Sequence, residues 1–355
     1  GNNKDTGDYR RTGMQVANGA RAILSDNSRI NIVGDNAIGV YARSGGKVEV
    51  KDNAQVLGLG EKNEFTNQTL FWTSGYNTET GDSAVTFTDG GNVTFDLNGQ
   101  QSTVFRIDGG ASFGLDNSTA SDDRYILNVH GDESRGFLVA DVLTRVIADD
   151  SVELNIHGEG ATGFYVTSGA GTGGEGTKEA GVVKLTEGAE ISLKGKDATA
   201  MIVDGTYYDI YNNPIEVNGK KYTKTIAHSS ARLDSENVET TEGAYGYKLI
   251  NNGKLIHSGS IDFSDAEKAT GIYVNGGELE NQKGSTIAVN GVGIDIYQDN
   301  EHNLASIVET EGDIIATDGT AAIRMNENAK LTLSGEGIVE GAGKADGVLV
   351  HKGAA

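Results

Sequence analysis

With 355 residues, 51 of them glycine, one proline and no cysteine, the chain is neither a collagen helix, which needs a three-residue period and abundant proline, nor a small disulfide-stapled domain. Its formal charge of −22 comes from 51 acidic and 29 basic side chains, with Lys and Arg scattered, which argues against nucleic acid or anionic membrane as a partner, since both demand a basic footprint. No apolar run approaches the length of a bilayer span, and the opening GNNKDTGDYRR lacks the apolar centre of a signal peptide.

In chain order, one short unit recurs: a residue, Gly, then two or three apolar or aromatic residues. It reads TGMQV at Thr12, IGVYA at Ile38, RGFLV at Arg135, TGFYV at Thr162, YGYKL at Tyr245, TGIYV at Thr270, VGIDIY at Val292 and DGVLV at Asp346, with Ala replacing Gly in TAMIV at Thr199 and AAIRM at Ala321. Turns and alternating strands follow the copies, as in GGKVEV at Gly45, DDSVELNI at Asp149, GAEISLKG at Gly188 and NAKLTLSG at Asn328. In KLTLS, Leu331 and Leu333 share one side and Lys330, Thr332 and Ser334 the other, so one side is buried and one wet.

Steps of 25, 22, 29 and 25 residues separate the copies from Gly246 to Gly347. A period in the twenties with two or three short strands matches one coil of a solenoid; propeller blades need about 40 residues, and hairpin folds usually carry two-residue turns. The expected architecture is an all-β, right-handed parallel β-helix of about a dozen coils, each lending its neighbour backbone partners at roughly 4.8 Å.

Two stretches break the period. The first, about 60–81, contains the only tryptophan, Trp72, with Tyr76 close by; the second, about 205–243, contains Tyr207, Tyr208, Tyr211, Tyr222 and the only proline, Pro214. Both are expected to be loop insertions in one β-helix domain. Insertions in solenoids emerge from one side, often the binding side, where aromatics stack on sugars or fill protein pockets. Covering an edge of the stack is the other use for such residues, above all for Trp72 near the N-terminal end.

Motifs with catalytic connotations fall away. GAGTGG at Gly169 satisfies a dinucleotide fingerprint but leads into a strand, where phosphate capture needs a helix. GGEGTKEAG resembles a calcium nonapeptide with Lys178 in the acidic position, and the pairs Asp122–Asp123 and Asp149–Asp150 suit solvated turns. Ser83, in GDS, lacks a protease-sized domain to supply His and Asp. The twin DD…HG segments ending at His130–Gly131 and His157–Gly158 fit the repeat better than an active site, and no His spacing suits zinc. No enzyme activity, cofactor or metal is therefore expected.

Units such as ATGIYVNGGELENQKGSTIAV and GAEISLKGKDATAMIV resemble passenger repeats of bacterial autotransporters (type V secretion), of the pertactin and AIDA kind. The resemblance implies a Gram-negative parent protein with a signal peptide and a C-terminal outer-membrane barrel, displayed at the cell surface, of which this chain is a piece. Many members are adhesins for host-cell, matrix or glycan ligands, and some self-associate, so the ligand is expected on a lateral side or a protruding loop.

Overall fold

The computed structural model describes residues 11–351 apart from 26, 52–53, 78–80, 89–92, 115–123, 173–181, 210, 236–242, 300 and 327–328. Each coil contributes three short strands, and equivalent strands of successive coils pair in parallel to form three sheets. The first sheet holds the repeat units, from Arg11–Ala17 through Ala37–Arg43, Thr69–Ser74, Thr103–Asp108 and Arg135–Val139 to Asp346–Val350. The second runs from Arg21–Leu24 to Lys330–Leu333, and the third from Arg29–Ile32 to Val339–Ala342. Strands Ser260–Asn275 and Thr286–Tyr297 turn the corner and belong to the third and first sheets at once. The described residues form a parallel β-helix of eleven complete coils and one further strand, spanning roughly 50–55 Å at the usual strand spacing.

Period-two strands bury alternate residues, and parallel register places like above like. Phe71, Phe105, Phe137 and Phe164 are register partners in the first sheet, and their rings stack at 5.2, 5.0 and 4.3 Å. Phe87 and Phe113 of the second sheet and Phe95 of the third meet this column edge-on. The interior is continuous along the rod.

The repeat glycine is required by close approach. At Gly271 an added Cβ would lie 2.5 Å from the Gly293 carbonyl oxygen and 2.6 Å from a methyl of Ile287, and Gly271 has no positive φ. Coils three and four differ here, with Leu70 and Val104 in the place of Gly, both fully buried. Leu70 finds room because the third sheet has Gly58 beside it, where an added Cβ would stand 3.4 Å from a Leu70 methyl.

One corner also repeats. Asn36, Asn67, Gln101 and Glu133, just before successive first-sheet strands, and Asp197, before Thr199–Asp204, adopt left-handed φ of 49–55°, a conformation that Asn and Asp tolerate better than most residues. The amides of Asn36, Asn67, Gln101 and Glu133 each donate to a carbonyl of the next coil, at 2.9–3.1 Å. Coil-to-coil bonding thus continues through the bend. Gln68 and Ser102 continue it further, each backbone N–H donating to the hydroxyl one coil on, of Ser102 and Ser134 respectively.

The expected insertion at 60–81 needs correction. Its middle, Thr69–Ser74, is the first-sheet strand of the third coil, paired with Ala37–Arg43 and Thr103–Asp108. What departs from the coil is the corner before it and a two-residue hairpin after it, Tyr76–Asn77 against Gly81–Asp82. The second stretch is likewise shorter than expected: an arm over 205–224 is followed by ordinary coil strands Thr225–Ser229 and Arg232–Ser235.

Candidate functional site

The outward side of the first sheet carries a register row Tyr41, Trp72, Arg106, Leu138, Tyr165. These side chains point away from the core because their neighbours Phe71, Phe105, Phe137 and Phe164 point inward. The last three of the row form the floor of a pocket of about 290 Å³. One wall is the turn from the first to the second sheet, with Asp108 and Gly109 in one coil and Ala140 and Asp141 in the next. The roof is the arm, which lays Tyr208, Asp209 and Asn212 over the floor.

The arm is a built structure. Tyr207 N–H donates to the Lys221 carbonyl at 3.1 Å, Ile215 N–H to Tyr207 at 2.9 Å and Thr223 N–H to Gly205 at 2.7 Å. Its root is Asp204, 1 % exposed. That carboxylate accepts from the Thr206 amide and hydroxyl at 2.9 and 2.7 Å, from the Asn251 amide at 3.0 Å, and from the Tyr165 and Tyr208 hydroxyls at 2.7 and 3.2 Å. Floor and roof are therefore tied to one buried anion. Burial, followed by the Asp204 charge, raises the pKa of both tyrosines, so they are neutral hydroxyls at any physiological pH.

The two arginines of the pocket differ. Arg106 is neutralised: its Nε donates to Asp108 at 2.9 Å, its guanidinium lies 4.3 Å from the Trp72 ring centre, and Trp72 Nε1 donates to the same Asp108 oxygen at 2.9 Å. Arg135 is half-buried, with its guanidinium 4.7 Å over the Tyr165 ring, and has no carboxylate in ion-pair contact among the described residues. Burial lowers its pKa from the usual arginine value, the direction expected of a cation drawn out of water. Two carboxyls nearby are pushed apart. Asp141, which accepts from the Gly109 amide at 3.0 Å, is raised by burial and then by the Asp108 charge. Asp209 is lowered by the Asn213 backbone amide that donates to it at 2.8 Å.

The six aromatic candidates separate. Tyr208 roofs the pocket. Trp72 lies on a strand, 3 % exposed, stacked on Tyr41 at 4.6 Å; it is no loop residue and acts by holding Arg106 and Asp108. Tyr222 lies on the far side of the arm, in a second cavity of about 440 Å³, edge-on to His302 at 5.0 Å. Tyr211 is exposed on the arm and Tyr207 half-buried. Tyr76 sits in the hairpin opposite Asp82, and its side chain lies outside the described residues. Arg106, Arg135, Asp141 and Tyr165 gave no signal of their own in the sequence, because they sit inside ordinary repeat units.

The remaining motifs take structural places. Ser83 is fully buried, donating to the Ser74 carbonyl at 2.8 Å and accepting from Gly45 N–H at 2.9 Å. Gly169 and Gly171 turn with positive φ, and an added Cβ at Gly171 would meet the Ile226 carbonyl oxygen. His130 and His157 occupy equivalent turns of adjacent coils and stack at 4.6 Å, and Asp149 accepts from the Ser151 amide and hydroxyl. GGEGTKEAG after Thr172 and Asp122–Asp123 lie outside the described residues. Among the described residues no group of three or more His, Asp and Glu could hold a metal.

The fold and the site together define a parallel β-helix with a lateral pocket roofed by a tyrosine arm. Comparison with known protein families, curated proteins and solved structures finds no match.

Proposed function

We propose that this chain is the ligand-binding part of a surface-displayed adhesin of the autotransporter type. In this reading it is a non-catalytic rod that meets host-cell, matrix or glycan ligands sideways, and it is tethered to a bacterial outer membrane through the rest of its parent protein. The observation that carries the reading is the pocket between the first sheet and the arm. A rod whose coils repeat has no structural need of an arm anchored by five donors on one buried carboxylate, and departures from a repeat commonly serve binding. Aromatic and guanidinium groups beside hydroxyl acceptors suit recognition of a polar, ring-shaped or protein ligand.

The test replaces residues 206–222 with two glycines. Saturable binding of the full chain to epithelial cells, or on matrix and glycan arrays, is expected to disappear while the thermal unfolding of the rod is kept. Retained binding would move the site to another part of the rod.

A second reading, a polysaccharide-active enzyme, draws on Asp141 and Asp209, whose pKa values are pushed in opposite directions beside one cavity, as in acid and base pairs of glycosidases. New reducing or unsaturated ends after incubation with plant and bacterial glycans would favour it over the adhesin.

A further inference from the structure

The adhesin reading leaves the ligand open, and the pocket narrows it. Among the described residues Arg135 is a half-buried cation that lies over the Tyr165 ring and has no carboxylate at ion-pair distance. A charge held partly out of water without a direct ion pair is costly; Glu133 acts on this one from a distance, and the guanidinium borders an open cavity instead of the core. A guanidinium so placed suits an anion with planar oxygens, which it binds through paired N–H groups.

The surroundings limit that anion to one charge. Asp108, Asp141 and Asp209 line the same cavity, so a phosphate, a sulfate cluster or a run of acidic side chains would meet carboxylates on several sides. Carboxylates and the side chains of Thr167 and Asn212 instead suit neutral hydroxyl donors. Leu138, Tyr165 and Tyr208 offer apolar surface for the faces of a saturated ring. At about 290 Å³ the cavity stands at the small end of ligand sites, enough for one ring and too little for a long chain.

We infer that the pocket binds a single carboxylate-bearing sugar, a uronic or sialic acid at the end of a glycan, with its carboxylate on Arg135, its hydroxyls toward Asp141, Asp209 and Asn212, and its ring between Tyr165 and Tyr208. This rests on the adhesin reading and names the ligand class for the same site. Arg106 takes no direct part, because Asp108 already occupies it. It keeps Asp108 paired, which lessens repulsion of the incoming carboxylate.

The experiment titrates the full chain by calorimetry or ligand-observed NMR with matched probes: methyl glucuronide, its methyl ester and methyl glucoside, then methyl galacturonide and N-acetylneuraminic acid. At least one acid is expected to bind about tenfold or more tightly than its ester or neutral partner, the range of one charge-assisted hydrogen-bonding contact. In Arg135→Gln that preference should fall to near unity, and Arg135→Lys should restore part of it. The ester comparison needs only the wild-type chain, so it decides the question even if a variant fails to fold. Equal affinity for acid and neutral sugars, or an unchanged preference in Arg135→Gln, overturns the inference. So does binding of an acidic peptide through Arg135 with no sugar bound. If cells or matrix are still bound through the arm in those cases, the adhesin reading stands while the sugar assignment falls; if nothing is bound by the arm at all, the adhesin reading falls first.

Discussion

At the scale of single residues, the rod depends on positions packed tightly against the coils on either side. Phe137 is fully buried and lies between Phe105 at 5.0 Å and Phe164 at 4.3 Å, so Phe137→Ala opens a cavity with coils fixed above and below it. A loss of about 3–5 kcal/mol is expected in denaturant unfolding. Gly271→Ala puts a methyl within 2.5 Å of a carbonyl and should cost about 1–3 kcal/mol, whereas the same change at Gly284, where nothing lies within 4 Å but φ is +88°, tests backbone strain alone.

His257 makes a pH prediction. It is fully buried in the second sheet, and neither ring nitrogen has a well-formed hydrogen bond. Burial, partly offset by the nearby Ser229 backbone, lowers its pKa from 6.5 to about 4. The unfolded chain then takes up a proton between those values while the folded chain does not, so stability falls as pH drops from 6.5 toward 4 and levels off below. Over that window the loss is on the order of 3 kcal/mol, and His257→Leu should flatten it. Chemical denaturation of both proteins at pH 7, 5.5 and 4 would measure the difference.

At the scale of elements, the arm was legible in outline and illegible in detail. Its tyrosines and the lone Pro214 mark it as foreign to the repeat, yet the contact that holds it, between Asp204 and the hydroxyls of Tyr165 and Tyr208, joins residues up to 39 positions apart. Asp204→Ala leaves those donors without their acceptor and should loosen the arm by about 3 kcal/mol. Limited trypsin digestion at the exposed Lys220 and Lys221 should then speed up by on the order of a hundredfold, with the melting of the rod barely moved. The expected loop around Trp72 shows the opposite lesson. TLFWTS and TVFRID are repeat units whose Gly has become Leu70 and Val104, and a pattern keyed to that glycine passes over them.

At the scale of the molecule, every coil touches chiefly its two neighbours, so stability is close to a sum of coil and interface contributions. Thr270 and Val292 are register partners, and excising 270–291 removes one whole coil while setting Val292 where Thr270 stood. The shortened chain should fold, with circular dichroism of β-type and a melting point lowered by a few degrees. Excising 270–280 instead shifts later strands against the stack, exposes their apolar sides and should give an aggregated product by size-exclusion chromatography.

The sequence by itself determined the parallel β-helix, its coil length and its approximate number of coils. Alternation and period are local properties, and each repeat carries them independently. Only the tertiary structure decided the pocket. Its floor is built from outward positions of coils about 30 residues apart, Arg106, Leu138 and Tyr165, which stacking brings to neighbouring strand spacing, and its roof depends on where one buried carboxylate draws the arm. That Arg135 meets no carboxylate at ion-pair distance among the described residues becomes visible only once its neighbours are in place, because it is a property of three-dimensional surroundings and not of any segment of the chain.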